Sequence, residues 1–354
     1  MESQQFNQAK FDELFGKVLG DVGGAVGLLM AYIGDQAGVY ESLESRGPST
    51  ADELATETGL NPRYLLEWLS SNAALGYISY DPAESTFSLS PEQAAIFSHE
   101  GEPTCMQGFF QAVVAQYETH EIATEVFQSG RGRPWSEQSS CCFCGTDRFF
   151  RSGYAANLVE NWIPSLEGVE AKLQSGAIVA DIGCGYGSST ILMAQSYPNS
   201  KIYGFDFHEP SIEVARKKAA EAGVTNVEFQ VCPAKEVPAN EYDLACIFDA
   251  LHDMGDPVGA AAHIKSVLKA DGTFMVVEPM AADRLGDNLN VLAGIFYGFS
   301  TLVCVPTSKS QEVGLGLGAQ AGEARLTSVL NEAGFSNVSR ATETPTNMVL
   351  EAVA

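Results

Sequence analysis

Basic residues are scarce in this chain, which has 20 Lys and Arg against 45 Asp and Glu and a net charge of −25 over 354 residues. Its electrostatic field therefore repels nucleic acid and anionic membrane surfaces, and we expect neither as a partner. Cysteine is also sparse, because eight thiols in a chain of this length do not make a disulfide scaffold. We expect most of them to be buried thiols.

Long apolar runs are missing as well. The most apolar early stretch, residues 25–33, is far shorter than the ~20 residues that span a bilayer. The first residues lack the basic and then apolar pattern of a secretory signal. These absences predict a cytoplasmic protein. The length allows two domains, and the sequence has no internal repeat.

A glycine-rich segment stands out against this background. Residues 178–181 form a short apolar run that predicts a buried strand. Gly183, Gly185 and Gly187 then predict a turn, and Ser188 can cap the helix that follows. Glycines let the backbone approach a ligand closely, and the helix N-terminus supplies unpaired N–H groups. The segment therefore predicts a ligand-binding loop.

Two features of this loop argue against a dinucleotide as the ligand. The third glycine of the dinucleotide fingerprint would fall at Ser188, and Asp181 places a carboxylate where a pyrophosphate would pass. A carboxylate suits a cationic ligand. A second predicted strand, residues 201–205, ends in Asp206, whose side chain is placed to accept hydrogen bonds from ribose hydroxyls.

The pattern Asp-x-Gly-x-Gly-x-Gly with the later Asp206 resembles the cofactor signature of class I S-adenosylmethionine-dependent methyltransferases. The alternation of helices and strands after residue 175 independently predicts a doubly wound α/β sheet. The resemblance implies a Rossmann-like sheet of seven strands, with S-adenosyl-L-methionine as cofactor and S-adenosyl-L-homocysteine as product. It also implies that the cofactor is held by Asp181, Gly183, Cys184, Gly185, Gly187, Ser188, Asp206, Phe207, Ala234 and Asp249.

The N-terminal part of the chain predicts a winged helix. After a helix over residues 11–45, two short helices over 48–60 and 62–71 are joined by a glycine turn. Residues 77–80 and 86–89 then fit the two strands of a hairpin wing. A winged helix can read DNA, so a regulator that senses the cofactor without catalysis remains an alternative.

The second of these short helices has only Arg63 beside Glu67, without a basic stripe, which disfavours DNA reading. The segment resembles the N-terminal domain of small-molecule O-methyltransferases, in which such a domain forms dimers and covers the substrate pocket. The resemblance predicts a homodimer. It also predicts a winged-helix and dimerisation domain over 1–100, a helical substrate-pocket region over 101–174 and a methyltransferase domain over 175–354.

A histidine follows the fourth predicted core strand, at the edge where doubly wound folds bind ligands. The sequence Leu251-His252-Asp253 resembles the catalytic segment of plant-type O-methyltransferases, in which the histidine is a general base flanked by two glutamates. Glu278 matches the first glutamate, and Glu323 matches the second. Proton transfer from a phenol to an ordinary histidine is uphill by about 5 kcal/mol. Phenolic, enolic or carboxylic acceptors are therefore favoured over simple alcohols.

Cys141 and Cys144 form a C-x-x-C spacing beside Cys142. Because zinc needs about four ligands and no second pair or histidine spacing is nearby, we expect no metal. The pair leaves open methylation of nitrogen, sulfur or a metalloid held by the thiols. The favoured hypothesis is methyl transfer from S-adenosyl-L-methionine to a small, largely apolar acceptor at a hydroxyl oxygen, with His252 as base.

Overall fold

The structure is a computed structural model that describes residues 6–354. The chain divides into two compact units. The first contains residues up to 118 together with 140–152, and the second contains 119–139 and 153–354. The region 101–174, which the sequence predicts as a separate helical part, is thus shared between the two units.

The first unit is mainly helical with one small hairpin. Its elements are α1 (Gln8–Gln36), α2 (Val39–Arg46), α3 (Ala51–Thr58), α4 (Pro62–Ala74), β1 (Ser79–Asp81), β2 (Thr86–Ser88), α5 (Pro91–Phe97) and α6 (Gln107–Glu118). The predicted helix over 11–45 is broken, because Gly38 adopts a left-handed φ of 67° between α1 and α2.

Local capping explains the winged-helix part of this unit. Thr50 and Glu53 form a capping box at the start of α3, and Asn61 caps α4 just before Pro62. The antiparallel strands β1 and β2 form the predicted wing.

The second unit is built on a seven-stranded sheet, as predicted. The strands are β3 (Ile178–Ile182), β4 (Lys201–Asp206), β5 (Val227–Val231), β6 (Tyr242–Phe248), β7 (Leu268–Pro279), β8 (Asn337–Glu343) and β9 (Asn347–Val353). Their order is β5-β4-β3-β6-β7-β9-β8. Strand β9 runs antiparallel to both of its neighbours, β7 and β8, and the pairs among the first five strands in this order are parallel. The carboxyl ends of β3, β4 and β6 therefore meet at one edge of the sheet.

Helices α9 to α12 and α15 pack against this sheet, which explains the apolar runs of its central strands. The helices of this unit are α7 (His120–Ser129), α8 (Ser140–Asn157, divided between the two units), α9 (Val169–Ser175), α10 (Ser188–Ser196), α11 (Glu209–Glu221), α12 (Pro257–Val267), α13 (Val291–Phe299), α14 (Val305–Lys309) and α15 (Glu323–Glu332). The largest apolar core of the unit lies around β3, β6 and β7.

The segment between β7 and α15 contains a nearly continuous helix over 291–309. A π-helical turn, Ser300–Cys304, joins α13 to α14. By length and composition alone, this helix and α1 are apolar enough to cross a membrane. One or two such helices are weak evidence of a membrane protein, because signal sequences and core helices of soluble proteins pass the same test.

Candidate active site

The glycine loop after β3 has a backbone that only glycine adopts easily. Gly183, Gly185 and Gly187 have φ angles of 75°, 52° and 78°. A Cβ at Gly187 would lie 2.7 Å from the Phe229 ring, so glycine is also required there for space. The loop is held against the end of β4 by a 2.7 Å hydrogen bond from the Gly183 N–H to the carbonyl of Phe205.

Asp181 is completely buried beneath this loop. Its Oδ2 accepts hydrogen bonds from Ser189 Oγ at 2.6 Å and Thr190 Oγ1 at 2.7 Å, which tie the start of α10 to β3. Burial raises the pKa of Asp181 to about 6, against the lowering effect of the two hydroxyls. Its Oδ1 is buried and accepts no hydrogen bond from any residue that the structure describes.

Asp206 joins the loop to the end of β4. One of its oxygens accepts from the Gly185 N–H at 2.9 Å, and the other accepts from the His208 N–H at 2.8 Å. Each oxygen keeps a lone pair for a further donor. The next residue, Phe207, is half exposed and offers an aromatic face beside the carboxylate.

The other predicted cofactor residues lie around the same strand ends. Ser188 is the first residue of α10, and Ala234 begins a short 3₁₀ turn after β5. Cys184 packs its side chain into an apolar cluster with Ile191 and Phe229, so it contributes to the loop through its backbone.

Asp249 follows β6 with a positive φ of 50°, which is uncommon for a residue with a side chain. Its Oδ1 accepts a 2.8 Å hydrogen bond from Asn347 Nδ2, while its Oδ2 is buried without a donor among the described residues. Like the Asp181 Oδ1, this oxygen fits a ligand that brings positive charge and hydrogen-bond donors. A sulfonium nucleoside has both, so the residues present suit S-adenosyl-L-methionine.

His252 lies in a 3₁₀ turn, Leu251–Asp253, directly after β6, and its neighbour in space is Glu278 near the end of β7. Glu278 Oε1 accepts from the backbone N–H groups of Leu251 at 3.0 Å and His252 at 3.3 Å, and Oε2 contacts His252 Nδ1. Both side chains are buried. Because a carboxylate can only accept, we infer that Nδ1 carries a proton in both forms of the ring, so Nε2 is the nitrogen that has the lone pair when the ring is neutral.

Two further groups lie on the Nε2 side of this histidine. Asp253 Oδ1 is 3.3 Å from Nε2. Cys304, from the π-helical turn, has its thiol within 4.8 Å of both. Burial alone lowers the pKa of His252, but the charges of Glu278 and Asp253 outweigh it and raise that pKa well above its usual value.

Hydrogen bonds explain how Cys304 reaches this position. Ser308 Oγ donates to the carbonyl of Met254 at 2.8 Å, and the Gly255 N–H donates to Gln311 Oε1 at 3.0 Å. These contacts fasten α14 to the loop after His252. Cys304 has no signal in the sequence, since no spacing motif relates it to the histidine.

The structure gives Glu323 a partner other than His252. Glu323 opens α15 and forms an ion pair with Arg340 of β8, so its role beside the histidine stays a prediction. Cys141 and Cys144 lie in the first turns of α8, where Cys141 Sγ is 3.5 Å from the Tyr32 hydroxyl within the first unit. All eight cysteines are thiols rather than disulfides.

Two segments of the chain match known protein families. Residues 173–334 match the family described as "Methyltransferase domain", and residues 24–99 match the "Rv2258c-like winged HTH domain". Demethylmenaquinone methyltransferase of Listeria monocytogenes serotype 4a is 31% identical over 110 residues, which are 30% of this chain and 46% of that protein. Aklanonic acid methyltransferase DauC of Streptomyces sp. strain C5 is 31% identical over 109 residues, which are 30% of this chain and 50% of DauC. The chain thus spans about half the length of these curated relatives.

Solved structures resemble the whole chain at low identity. The match with the mitomycin 7-O-methyltransferase MmcR covers 98% of this chain and 100% of the MmcR chain, with a TM-score of 0.72 and 19% identity. The match with human N-acetylserotonin methyltransferase, solved in complex with S-adenosylmethionine, covers 100% of this chain and 99% of that chain, with a TM-score of 0.73 and 17% identity. The dimethyltransferase RosA of Streptomyces davawensis is named for an amino substrate. Its match covers 99% of this chain and 100% of RosA, with a TM-score of 0.61 and 18% identity. Residues 173–334 therefore belong to the methyltransferase-domain family, and a winged helix-turn-helix domain precedes them over residues 24–99.

Proposed function

We propose that this protein methylates a hydroxyl oxygen of a small, largely apolar acceptor and that His252 takes the hydroxyl proton. The observation that supports the proposal is the buried His252–Glu278 pair at the carboxyl end of β6. This pair lies close to the glycine loop, since a Cβ at Gly183 would be only 3.1 Å from the Cβ of Ala250. A proton acceptor beside the cofactor loop suits an acceptor that must lose a proton.

Each part of the site has one task in this proposal. The bound cofactor supplies an electrophilic methyl group and leaves as a neutral thioether. The glycine loop and Asp206 bind its nucleoside, while Asp181 and Asp249 offer oxygens to its positive end. His252 Nε2 accepts the proton of the acceptor, and Glu278 stabilises the imidazolium that results. The raised pKa of His252 reduces the uphill step of about 5 kcal/mol from a phenol.

The identity of the acceptor atom is the first thing to test. Replacing His252 by Ala should reduce turnover of a phenolic or enolic acceptor by roughly 100-fold or more. An amine acceptor of the same shape has a neutral lone pair, so its turnover should fall much less. Calorimetry with S-adenosyl-L-homocysteine should give the same affinity for the variant and the parent, and His99→Ala, at an exposed histidine paired with Glu44, is the matched control.

Two outcomes would overturn this assignment. Unchanged turnover of the hydroxyl acceptor in the His252 variant would show that the base is another group. Methylation of only amines, thiols or a metalloid, lost in a Cys141→Ser, Cys144→Ser double variant, would support the alternative chemistry instead.

We also propose that the protein is a cytoplasmic homodimer that does not bind nucleic acid. Helix α1 supports the dimer, since it exposes an apolar face that includes Phe11, Leu14, Phe15, Val18 and Leu19. The ion pair between Arg63 and Glu67 leaves no net positive charge on α4, which opposes DNA binding. Salt-dependent binding of duplex DNA, measured by fluorescence anisotropy, would contradict this part and favour a regulator.

A further inference from the structure

Three different ligand groups meet on the Nε2 side of His252. The imidazole of His252, the carboxylate of Asp253 and the thiol of Cys304 each offer an atom, and these atoms all lie within 4.8 Å of one another. His252 and Cys304 are buried, at 3% and 7% exposure. The cluster comes from two separate segments, the turn after β6 and the π-helical turn before α14.

The contact between Asp253 and His252 has the spacing of two ligands of one metal ion. Asp253 Oδ1 is buried and 3.3 Å from His252 Nε2, where it pairs with the ring when the ring is protonated. Two ligands at about 2.1 Å from a tetrahedral zinc ion are about 3.4 Å apart, which matches this separation. A zinc ion can therefore replace the Nε2 proton between these two atoms.

The chemistry of the cluster also fits zinc. A nitrogen, an oxygen and a sulfur ligand form a borderline-soft set that prefers Zn²⁺ to Mg²⁺ or Ca²⁺. Glu278 contacts the opposite ring nitrogen, Nδ1. In zinc sites, a carboxylate in this position commonly orients the histidine ligand. The Cys304 sulfur is already within 4.8 Å of the other two ligand atoms, and binding would bring it to about 2.3 Å from the ion.

We propose that His252, Asp253 and Cys304 bind one Zn²⁺ ion, with a fourth position left to water. The consequence for activity rests on the proposed function. The lone pair of Nε2 binds either the ion or the acceptor's proton, so an occupied site has no base and turnover stops. Zinc is then a reversible inhibitor of methyl transfer rather than a cofactor.

The binding test uses the full chain after removal of metals with a chelator. Zinc is titrated in competition with a chromophoric chelator, and Co²⁺ provides a second readout through its thiolate charge-transfer band. We expect one ion per chain in the parent protein, at least about 100-fold weaker binding in Cys304→Ala and Asp253→Asn, and no charge-transfer band in Cys304→Ala. Circular dichroism checks that each variant is folded, and Asp253→Asn is nearly isosteric with the parent.

Matched cysteine controls decide where the ion binds. The Cys141→Ser, Cys144→Ser double variant should keep one tightly bound ion, because its substitutions lie in α8. Loss of the ion in this double variant, or parent-like binding in Cys304→Ala, would overturn the site. So would the absence of any tight ion in the parent.

Activity separates this inference from the proposed function. Zinc should lower turnover of the parent, a chelator should restore it, and the ratio of turnover with and without zinc should return towards one in Cys304→Ala. If the parent binds the ion at this site but keeps its turnover, then Nε2 is not the base. If no ion binds but His252→Ala abolishes turnover, the zinc site is wrong and the proposed function stands.

Discussion

Replacing Glu278 by Gln tests how the histidine is held. Glu278 Oε1 accepts two backbone N–H groups, and Oε2 contacts His252 Nδ1. A glutamine can keep the two backbone hydrogen bonds through its carbonyl oxygen. Its NH₂ group then faces Nδ1 as a donor, which requires the ring proton to move to Nε2. The substitution therefore blocks the nitrogen that accepts the proton while it preserves the shape of the site.

The size of the effect follows from this change of tautomer. A general base contributes about 10²–10⁴-fold to a rate, and the variant also loses the negative charge that stabilises the imidazolium. We expect kcat to fall by about 1000-fold, whereas the affinity for S-adenosyl-L-homocysteine should stay within roughly 3-fold, because Glu278 acts on the proton transfer. Initial rates with a phenolic acceptor and calorimetry with the product measure the two quantities.

Two other glutamates make this test specific. Glu343→Gln removes an exposed charge that pairs with Arg340, and its turnover should match the parent. Glu323→Gln should also be mild, because Glu323 pairs with the same arginine rather than with the histidine. A 1000-fold loss in Glu323→Gln would favour the family resemblance over this geometry. Turnover within 10-fold of the parent in Glu278→Gln would refute the reasoning about the tautomer.

Three further predictions concern the loop, the buried carboxylate and α1. Gly187→Ala should lower the free energy of unfolding by about 2–4 kcal/mol in urea denaturation, because the new Cβ meets Phe229 and the φ angle is positive. In the control Gly185→Ala, the new Cβ has open space around it, so the cost should be about 1 kcal/mol. Asp181 has a folded pKa of about 6 against about 3.9 when unfolded, so its contribution to stability falls as pH rises from 4 to 6. Relative to the parent, Asp181→Asn should therefore gain about 2 kcal/mol between pH 4 and pH 7, and an unchanged difference would contradict the raised pKa. Phe15→Asp should shift the protein towards the monomer in sedimentation experiments, and a parent that is already monomeric would exclude the dimer.

Much of the fold could be predicted from the sequence, because local patterns and the fold agree. The apolar runs of β3 and β6 are typical of strands buried on both faces, and the seven-stranded sheet is confirmed. The capping residues Thr50 and Asn61 mark helix starts that the structure contains. The unit boundaries were harder to predict, because α8 is shared between the two units and no local signal marks that division.

The candidate site was predictable only where its residues follow strand ends. The resemblance paired His252 with Glu278, and both come directly from neighbouring strands of the sheet. It also assigned Glu323 to the base, but an arginine on β8 holds that carboxylate, and a pattern of single residues cannot reveal such competition. Cys304 had no signal, since it reaches the histidine through a π-helical turn and hydrogen bonds from α14.

Two carboxylates of this site share a property that links stability to function. Asp181 and Asp249 each bury one oxygen that no described residue satisfies. An unsatisfied buried acceptor costs about 1–3 kcal/mol, and a folded chain tolerates this when a ligand supplies the missing donors or charge. Asp253 differs from these two, because its Oδ1 lies 3.3 Å from His252 Nε2 and its charge acts on the ring and on the Cys304 thiol. The first two carboxylates therefore fit the positive end of the cofactor, whereas Asp253 acts with the base, where an acceptor hydroxyl and a metal ion compete for the same nitrogen.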